Sequence, residues 1–306
     1  MIMTNILITE PEYFDQEAVY ILKSVGTVTA KRLTKQELIK EIENVDVLVC
    51  RIETHVDKTI LDAAKKLKII GSATTGLNHI DVEYAKQKGV KIINLAGTHT
   101  TSTAEYTFSL ILTLAKRIPW AFENLKTGVW ERYRFFGHTL HGKTLGVIGY
   151  GKIGRQVAEY AKTFGMNIIA FDPYVKTADI RMVSLEDLLR EADVITIHAM
   201  LTKETENLIG EEQFKLMKKN AILVNAARGQ IVNSESLIKA LKNGVILGAA
   251  QDVFAEEPLP PTDPLIRFAR ENQNLLITPH IAASTHEAIH EAGLEIATRI
   301  RDELKK

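Results

Sequence analysis

Short runs of aliphatic and β-branched residues alternate with longer helical patterns along this chain, and the alternation breaks once and restarts. In the first set Asn5–Thr9, Val45–Val49, Lys68–Ile70 and Lys91–Asn94 read as buried strands, with amphipathic helices over Thr34–Glu43 and Asp57–Lys66. Thr34-Lys35-Gln36-Glu37 has the form of a capping box, in which the threonine accepts an early backbone N–H and the glutamate reaches back. Strands without a polar face need cover on both sides, and the helices between them supply it. The pattern therefore predicts an α/β fold with a parallel sheet.

A long helix over Ser102–Ile118 follows, with a second capping box at Ser102-Thr103-Ala104-Glu105 and Pro119 as its stop. Trp120–Thr139 is rich in aromatic residues and arginine with weak periodicity, and reads as an arm that packs on another subunit. From Lys143 the alternation resumes. Strands are expected at Thr144–Ile148, Asn167–Phe171, Val194–His198, Ala221–Val224, Ile246–Ala249 and Leu275–Thr278. Helices are expected at Ile153–Thr163, Ser184–Glu191, Glu211–Met217 and Ser234–Lys242, with a proline-rich loop around Pro258, Pro260, Pro261 and Pro264. The last segment, Thr285–Lys306, places Ile289, Ala292, Ile296, Ile300 and Leu304 on one helix face. Two β-α sets imply two sheets and two domains.

The 306 residues suffice for two domains, and 38 basic against 38 acidic side chains give no field for nucleic acid or an anionic membrane. A single cysteine, Cys50, forms no intrachain disulfide and suits a reducing compartment. Met1–Asn5 lacks a basic region followed by a long apolar stretch, and no run reaches the roughly 18 to 20 apolar residues of a spanning helix. A cytoplasmic protein is expected.

The most specific local signal is Gly149-Tyr150-Gly151-Lys152-Ile153-Gly154. It follows the strand Leu145–Ile148, opens a helix, and the next strand ends in an acid, Asp172. Gly149 permits a tight turn, Gly151 lets a pyrophosphate approach the backbone, and Gly154 lets the helix lie close on the sheet. The helix N-terminus offers unpaired N–H groups to the phosphates. Asp172 can accept from both ribose hydroxyls and repels a 2′-phosphate, so NAD is favoured over NADP, with Lys176 nearby as an opposing charge.

Further segments extend the signal: Leu140–Lys143, Ala192–His198, Asn225–Gly229, Asp252–Pro258 and Pro279–Thr285. With the glycine loop they resemble the D-2-hydroxyacid dehydrogenase family in its phosphoglycerate dehydrogenase-like branch, from about Val47 to about Thr285. The resemblance implies a Rossmann-type NAD domain (98–284) inserted into a flavodoxin-like substrate domain (1–97 and 285–306). It implies hinges near Ala96–Thr101 and Ala282–Thr285, an active site in the cleft between the domains, and a homodimer.

The family's reaction moves a hydride between nicotinamide and C2 of a 2-hydroxy or 2-keto acid, leaving the protein one proton and the substrate's charges to manage. A histidine can carry the proton, a carboxylate beside it orients the ring and favours its charged form, and an arginine binds the substrate carboxylate. The resemblance assigns these parts to His280, Glu257 and Arg228. It implies that Tyr150, Lys152, Ile153, His198, Ala226 and Asp252 join the glycines and Asp172 around NAD, Asp252 holding the nicotinamide carboxamide. It also implies that Thr74, Thr75 and Gly76 hold the substrate carboxylate through backbone N–H groups; the alternative reading of the segment is a turn with Asp81 capping a helix.

This segment departs from the family's pattern. Ser72 stands where phosphoglycerate enzymes often have arginine, Thr74 replaces a frequent glycine and Asn78 a frequent aspartate, whereas Arg51 is retained where it can contact a phosphorylated substrate. Met200 replaces a usual proline, and Glu105 matches a family acid that its capping box explains as well. Substrate choice would fall to Arg51, Ser72, His99 and, from a second subunit, Trp130 or Arg132. The expected substrate is of the 3-phosphoglycerate, glycerate/hydroxypyruvate or glyoxylate type, and no metal is expected.

Two other readings stand beside this one. Some relatives on the same fold act as NAD(H)-responsive corepressors and keep the catalytic residues. His286-Glu287-Ala288-Ile289-His290 is also a formal HExxH zinc motif, and Gly293 fits its extension, but Ile296 occupies the position of the third ligand and cannot bind metal.

Overall fold

The computed structural model describes residues 4–95, 100–175 and 178–306. Strands β1 to β6 span Asn5–Ile8, Thr27–Ala30, Val47–Cys50, Ile69–Ser72, Lys91–Asn94 and Thr144–Ile148. Strands β7 to β12 span Asn167–Phe171, Arg181–Met182, Val194–Ile197, Ile222–Asn225, Gly248–Gln251 and Leu275–Ile277. Helices α1 to α6 span Gln16–Lys23, Lys35–Glu41, Lys58–Ala63, Val82–Gln87, Thr100–Lys116 and Ile118–Lys126. Helices α7 to α12 span Lys152–Thr163, Leu185–Glu191, Glu211–Leu216, Ser234–Lys242, Pro264–Glu271 and His286–Leu304.

The chain divides into two compact units, Met1–His99 with Ser284–Lys306, and Thr100–Ala283. The first carries a parallel five-stranded sheet in the order β2-β1-β3-β4-β5. Its two faces hold separate apolar cores. Helix α12 closes one of them: Ile296 and Ile300 are fully buried, and a Cβ at Gly71 of β4 would collide with the Ile300 side chain. Trimming Ile300 to alanine would leave a cavity there, at a cost of about 2–5 kcal/mol. Thr285 caps α12 by accepting the Ala288 N–H, and the predicted box at Thr34 and Glu37 is present on α2.

The second unit carries a parallel seven-stranded sheet in the order β12-β11-β10-β9-β6-β7-β8. Strand order reverses at β6, so the crevice at the carboxyl ends of β6 and β9 is a topological switch point, where open α/β sheets bind ligands.

Several boundaries differ from expectation. The pattern over Ser102–Ile118 breaks at Arg117, whose backbone is left-handed with φ 56°, and Pro119 then sits in the first turn of α6, where its missing N–H costs nothing. Ser102 lies inside α5, so it does not cap that helix; its hydroxyl donates to the Ala282 carbonyl at 2.9 Å. The proline-rich loop contains α11, with Asp263 as its cap and Pro264 in its first turn. The arm expected over Trp120–Thr139 starts within α6 and carries one short 3-10 turn at Arg132–Arg134. Ala96–His99 of the first expected hinge, including His99, and Lys176 lie outside the described residues.

Candidate active site

The β6–α7 turn is built around Gly149, whose φ of +90° suits glycine. A Cβ there would fall 2.6 Å from the Ala199 nitrogen and 2.7 Å from the His198 carbonyl carbon, so the turn lies directly against the end of β9. At Gly151, the N-cap of α7, a Cβ would meet nothing within 4 Å. A Cβ at Gly154 would collide with the Gly149 carbonyl, so the helix sits tightly on its own turn. Asp172 follows β7 and accepts the Tyr150 N–H on Oδ2 and the Tyr174 N–H on Oδ1, both at 2.9 Å. An open helix N-terminus beside a fixed carboxylate fits NAD: α7 would take the pyrophosphate and Asp172 the ribose hydroxyls.

His198 extends from β9, its Nε2 2.9 Å from Thr196 Oγ1, and burial pushes its pKa down to about 3. The ring is therefore neutral at pH 7. Ala226 follows β10 in a turn held by Asn225, whose side chain accepts the Ala227 N–H and donates to the Arg228 carbonyl, both at 3.0 Å.

Arg228, Glu257 and His280 follow the carboxyl ends of β10, β11 and β12, three neighbouring strands. His280 Nδ1 lies 2.6 Å from Glu257 Oε2, and Glu257 Oε1 accepts the Phe254 N–H at 2.8 Å. Burial pushes the Glu257 carboxyl up, but the bond and charge of His280, the Phe254 N–H and Arg228 outweigh it and hold the group below the usual carboxylate range. An ionised carboxylate only accepts, so Nδ1 carries a hydrogen and Nε2 is the free ring nitrogen. Arg228 donates to the Ala227 carbonyl at 2.6 Å; burial pulls its pKa down, while Glu257 pulls it up. The structure thus joins His280 to Glu257 by a bond and Arg228 to Glu257 by charge.

His280 has a left-handed backbone, φ 53°, unfavourable for a residue with a Cβ. Asp252 holds it there. This aspartate is 0% exposed. Its Oδ1 accepts from the Thr278 hydroxyl at 2.6 Å and the Ile281 N–H at 3.0 Å, and its Oδ2 accepts the Ala282 N–H at 2.9 Å. Burial raises its pKa against these bonds. Tyr106 of α5 bonds the Thr278 side chain, and Ser102, one turn earlier, holds the Ala282 carbonyl. Tyr106 escaped the sequence reading and Ser102 was read only as a helix cap; their spacing of four on one helix face was the available signal.

In the first unit Arg51 is 6% exposed, its guanidinium carbon 4.7 Å from the centroid of Tyr13, and its buried Nη1 has no partner among the described residues. Burial lowers its pKa and Glu10 opposes that. In the loop after β4, the Thr74 carbonyl accepts the Leu95 N–H and the Thr75 carbonyl accepts Asn94 Nδ2, both at 3.0 Å. The Gly76 carbonyl accepts the Thr74 hydroxyl at 2.7 Å. In a trans peptide the next N–H points opposite each carbonyl, so Thr75, Gly76 and Leu77 turn their N–H groups the other way. Asp81 caps α4 by accepting the Tyr84 N–H, so the turn-and-cap reading of the segment also holds.

The family model "D-isomer specific 2-hydroxyacid dehydrogenase, NAD binding domain" matches residues 108–282. The chain belongs to the D-isomer-specific 2-hydroxyacid dehydrogenase family. The matched part is the family's NAD-binding domain, and NAD is the cofactor. The chain is 46% identical over 310 residues to a D-3-phosphoglycerate dehydrogenase of Methanocaldococcus jannaschii, covering 99% of this chain but 58% of that protein. It is 43% identical to a hydroxypyruvate reductase of Thermotoga maritima, covering 95% of both. The crystal structure of a D-lactate dehydrogenase from Aquifex aeolicus, complexed with NAD and lactic acid, matches 99% of this chain and 96% of its own. The TM-score is 0.86 at 29% identity.

The second histidine of the HExxH pattern serves otherwise: His290 Nδ1 bonds Asp15 Oδ2, and Ile296 lies in the core under α12. Among the described residues no helix is long and apolar enough to cross a membrane.

Proposed function

We propose that this chain catalyses reversible hydride transfer between NAD and C2 of a D-2-hydroxy acid or its 2-keto acid. The His280–Glu257 bond carries the reading, because it leaves Nε2 as the one ring nitrogen free to move a proton. NAD, when bound at the glycine turn, supplies or accepts the hydride. In oxidation His280 Nε2 takes the C2 hydroxyl proton; in reduction it returns that proton to the new alkoxide. Glu257 keeps the ring oriented and stabilises its charged form. Arg228 binds the substrate carboxylate and polarises the C2 oxygen. Thr74, Thr75 and Gly76 belong to the carboxylate's cradle and His198 to the nicotinamide end, while the fully buried Asp252 acts through the loop that it holds around His280.

The substrate class is a small 2-hydroxy acid of the glycerate/hydroxypyruvate kind, a reading supported by the likeness to the hydroxypyruvate reductase over 95% of both chains. A phosphorylated member is a second reading favoured by one observation, the buried Arg51 Nη1 that has no partner among the described residues. NADH oxidation is followed with glyoxylate, hydroxypyruvate, pyruvate, longer keto acids and phosphohydroxypyruvate. Fast turnover of hydroxypyruvate supports the first reading, and a strong preference for the phosphorylated acid the second. Silence with every keto acid, with NADH still bound, overturns both and favours a nucleotide-responsive binding protein.

The homodimer and the cytoplasmic location belong to this proposal. Ile118, Phe122 and Leu125 share one exposed face of α6, and Val129, Trp130, Tyr133 and Phe136 beyond it are also exposed. Glu123, Lys126, Glu131, Arg132 and Arg134 intersperse both charge signs, which suits a self-complementary contact with a second copy. Sedimentation of the wild type and F122E checks this: a dimer that F122E converts to monomer is expected, and a monomeric wild type overturns it.

A further inference from the structure

Ser72 and Thr74, two positions at which the chain departs from its family's pattern, touch each other, and Ser72 also touches a buried histidine. Ser72 Oγ lies 2.7 Å from Thr74 Oγ1 and 3.0 Å from His79 Nε2. Ser72 is fully buried, and Thr74 and His79 nearly so.

Hydrogen bookkeeping gives this cluster one direction. The Gly76 carbonyl can only accept, so the Thr74 hydroxyl spends its hydrogen there. Ser72 must then donate to Thr74, and with the serine's hydrogen committed, His79 must donate from Nε2. The chain of bonds runs from His79 through Ser72 and Thr74 to the Gly76 carbonyl. His79 is therefore the Nε2–H tautomer.

We infer that His79, Ser72 and Thr74 are positioning residues: they hold the Gly76 carbonyl inward and so present the Leu77 N–H, beside that of Gly76, to the substrate's carboxylate. The inference rests on the proposed role of this loop as the carboxylate cradle. The direction of the Leu77 N–H follows from the planarity of the peptide it shares with Gly76. That N–H and those of Thr75 and Gly76 have no hydrogen-bond partner among the described residues. The two other carbonyls of the loop are held by Leu95 and Asn94, so the relay fixes the one peptide those contacts leave free.

The relay is insensitive to pH. Burial, with the charges of His55 and Arg51, pushes the His79 pKa down to about 4, and a protonated ring would still donate from Nε2. The cluster therefore acts as a fixed brace, and its effect belongs in substrate affinity and not in the pH profile.

The experiment uses the full chain with NADH and its best keto acid. T74V removes the hydroxyl at nearly constant volume, S72A cuts the middle of the relay, and H79L removes its source. Each is expected to raise KM for the keto acid about 3- to 10-fold, the worth of one hydrogen bond, with kcat falling far less. NADH affinity and the pH profile should follow the wild type. T74S and H79Q each keep a donor in place and should recover most of the affinity. KM unmoved in T74V, or lost equally in T74S, overturns the relay while leaving the proposed activity standing. A wild type that turns over no keto acid overturns both. Should H79L fail to fold, the T74V and T74S pair still decides.

Discussion

His280 and Glu257 stand 23 residues apart in sequence, yet Nδ1 of one lies 2.6 Å from Oε2 of the other. Because Glu257 ionises below the usual carboxylate range, the pair persists through neutral pH and fails only as pH falls through that lowered value. Replacing His280 with alanine removes the proton carrier and should cost roughly 10²–10⁴-fold in kcat, with NADH binding retained. Glu257→Gln keeps the shape but presents an amide that can donate to Nδ1, favouring the wrong tautomer. Its kcat should fall by about 10²-fold, and the acid limb of the pH–rate profile set by this carboxylate should disappear. Unchanged turnover in H280A sinks the assignment.

Two glycines separate folding from binding. A Cβ at Gly151 meets open space, whereas one at Gly229 would collide with the Phe254 backbone. G151A should melt with the wild type but bind NADH at least about 10-fold more weakly, since the added methyl intrudes where the pyrophosphate approaches. G229A should lose stability, because the loops carrying Arg228 and Glu257 can no longer touch. Thermal melts alongside NADH fluorescence titrations check both, and wild-type NADH affinity in G151A would contradict the placement of the phosphates.

The parts of this molecule that local pattern controls were the legible ones. The capping box at Thr34, the strand Thr144–Ile148 and the glycine turn all follow from residues within a few positions of each other. Strand β11 begins two residues later than the Ile246–Ala249 that the pattern predicts. Its small residues Gly248, Ala249 and Ala250 carry little strand preference, and its register is set by pairing with β10 and β12. Strand β2 and helix α1 were not read from the sequence, and α4 only as a helix that Asp81 would cap. The β2 strand is a partly exposed edge, and these short elements gain their stability from neighbours rather than from their own pattern. At the site, residue types came from motif resemblance, but the bonds around Asp252 reach 26 to 30 residues along the chain and join segments that only the fold brings together.

Asp252 meets three donors with two oxygens in a site closed to water. In D252N one oxygen becomes an amide nitrogen facing an N–H, which strands a buried donor and should cost about 1–3 kcal/mol. The larger effect should fall on the chemistry. His280 is held left-handed by this loop, and release by even an ångström could lower kcat by about 10²-fold. Y106F removes a bond one step further away and should have the same sign with a smaller effect. Denaturant midpoints beside kcat check the ranking, and a D252N enzyme with wild-type kcat would show that the loop holds itself.

The His290–Asp15 pair joins α12 to the start of α1 in the first unit. Asp15 is also the cap of α1, accepting the Ala18 N–H at 2.9 Å. The bond and charge of Asp15, with Glu17 and Glu291, raise the His290 pKa. Burial pushes Asp15 up, but the Ala18 N–H and His290 outweigh it and hold it low. A raised histidine contributes stability in full below its unfolded pKa and loses it as pH rises through the folded value. A lowered aspartate contributes above its unfolded pKa and loses it as pH falls through the folded value. Both contributions are therefore complete between about pH 4 and pH 6.5. H290Q should lower the urea midpoint in that window and converge on the wild type at about pH 9, where His290 is neutral in both states. Because both side chains are largely exposed, added salt should shrink the difference. An H290Q deficit as large at pH 9 as at pH 5.5 would mean that packing, and not charge, joins the two helices.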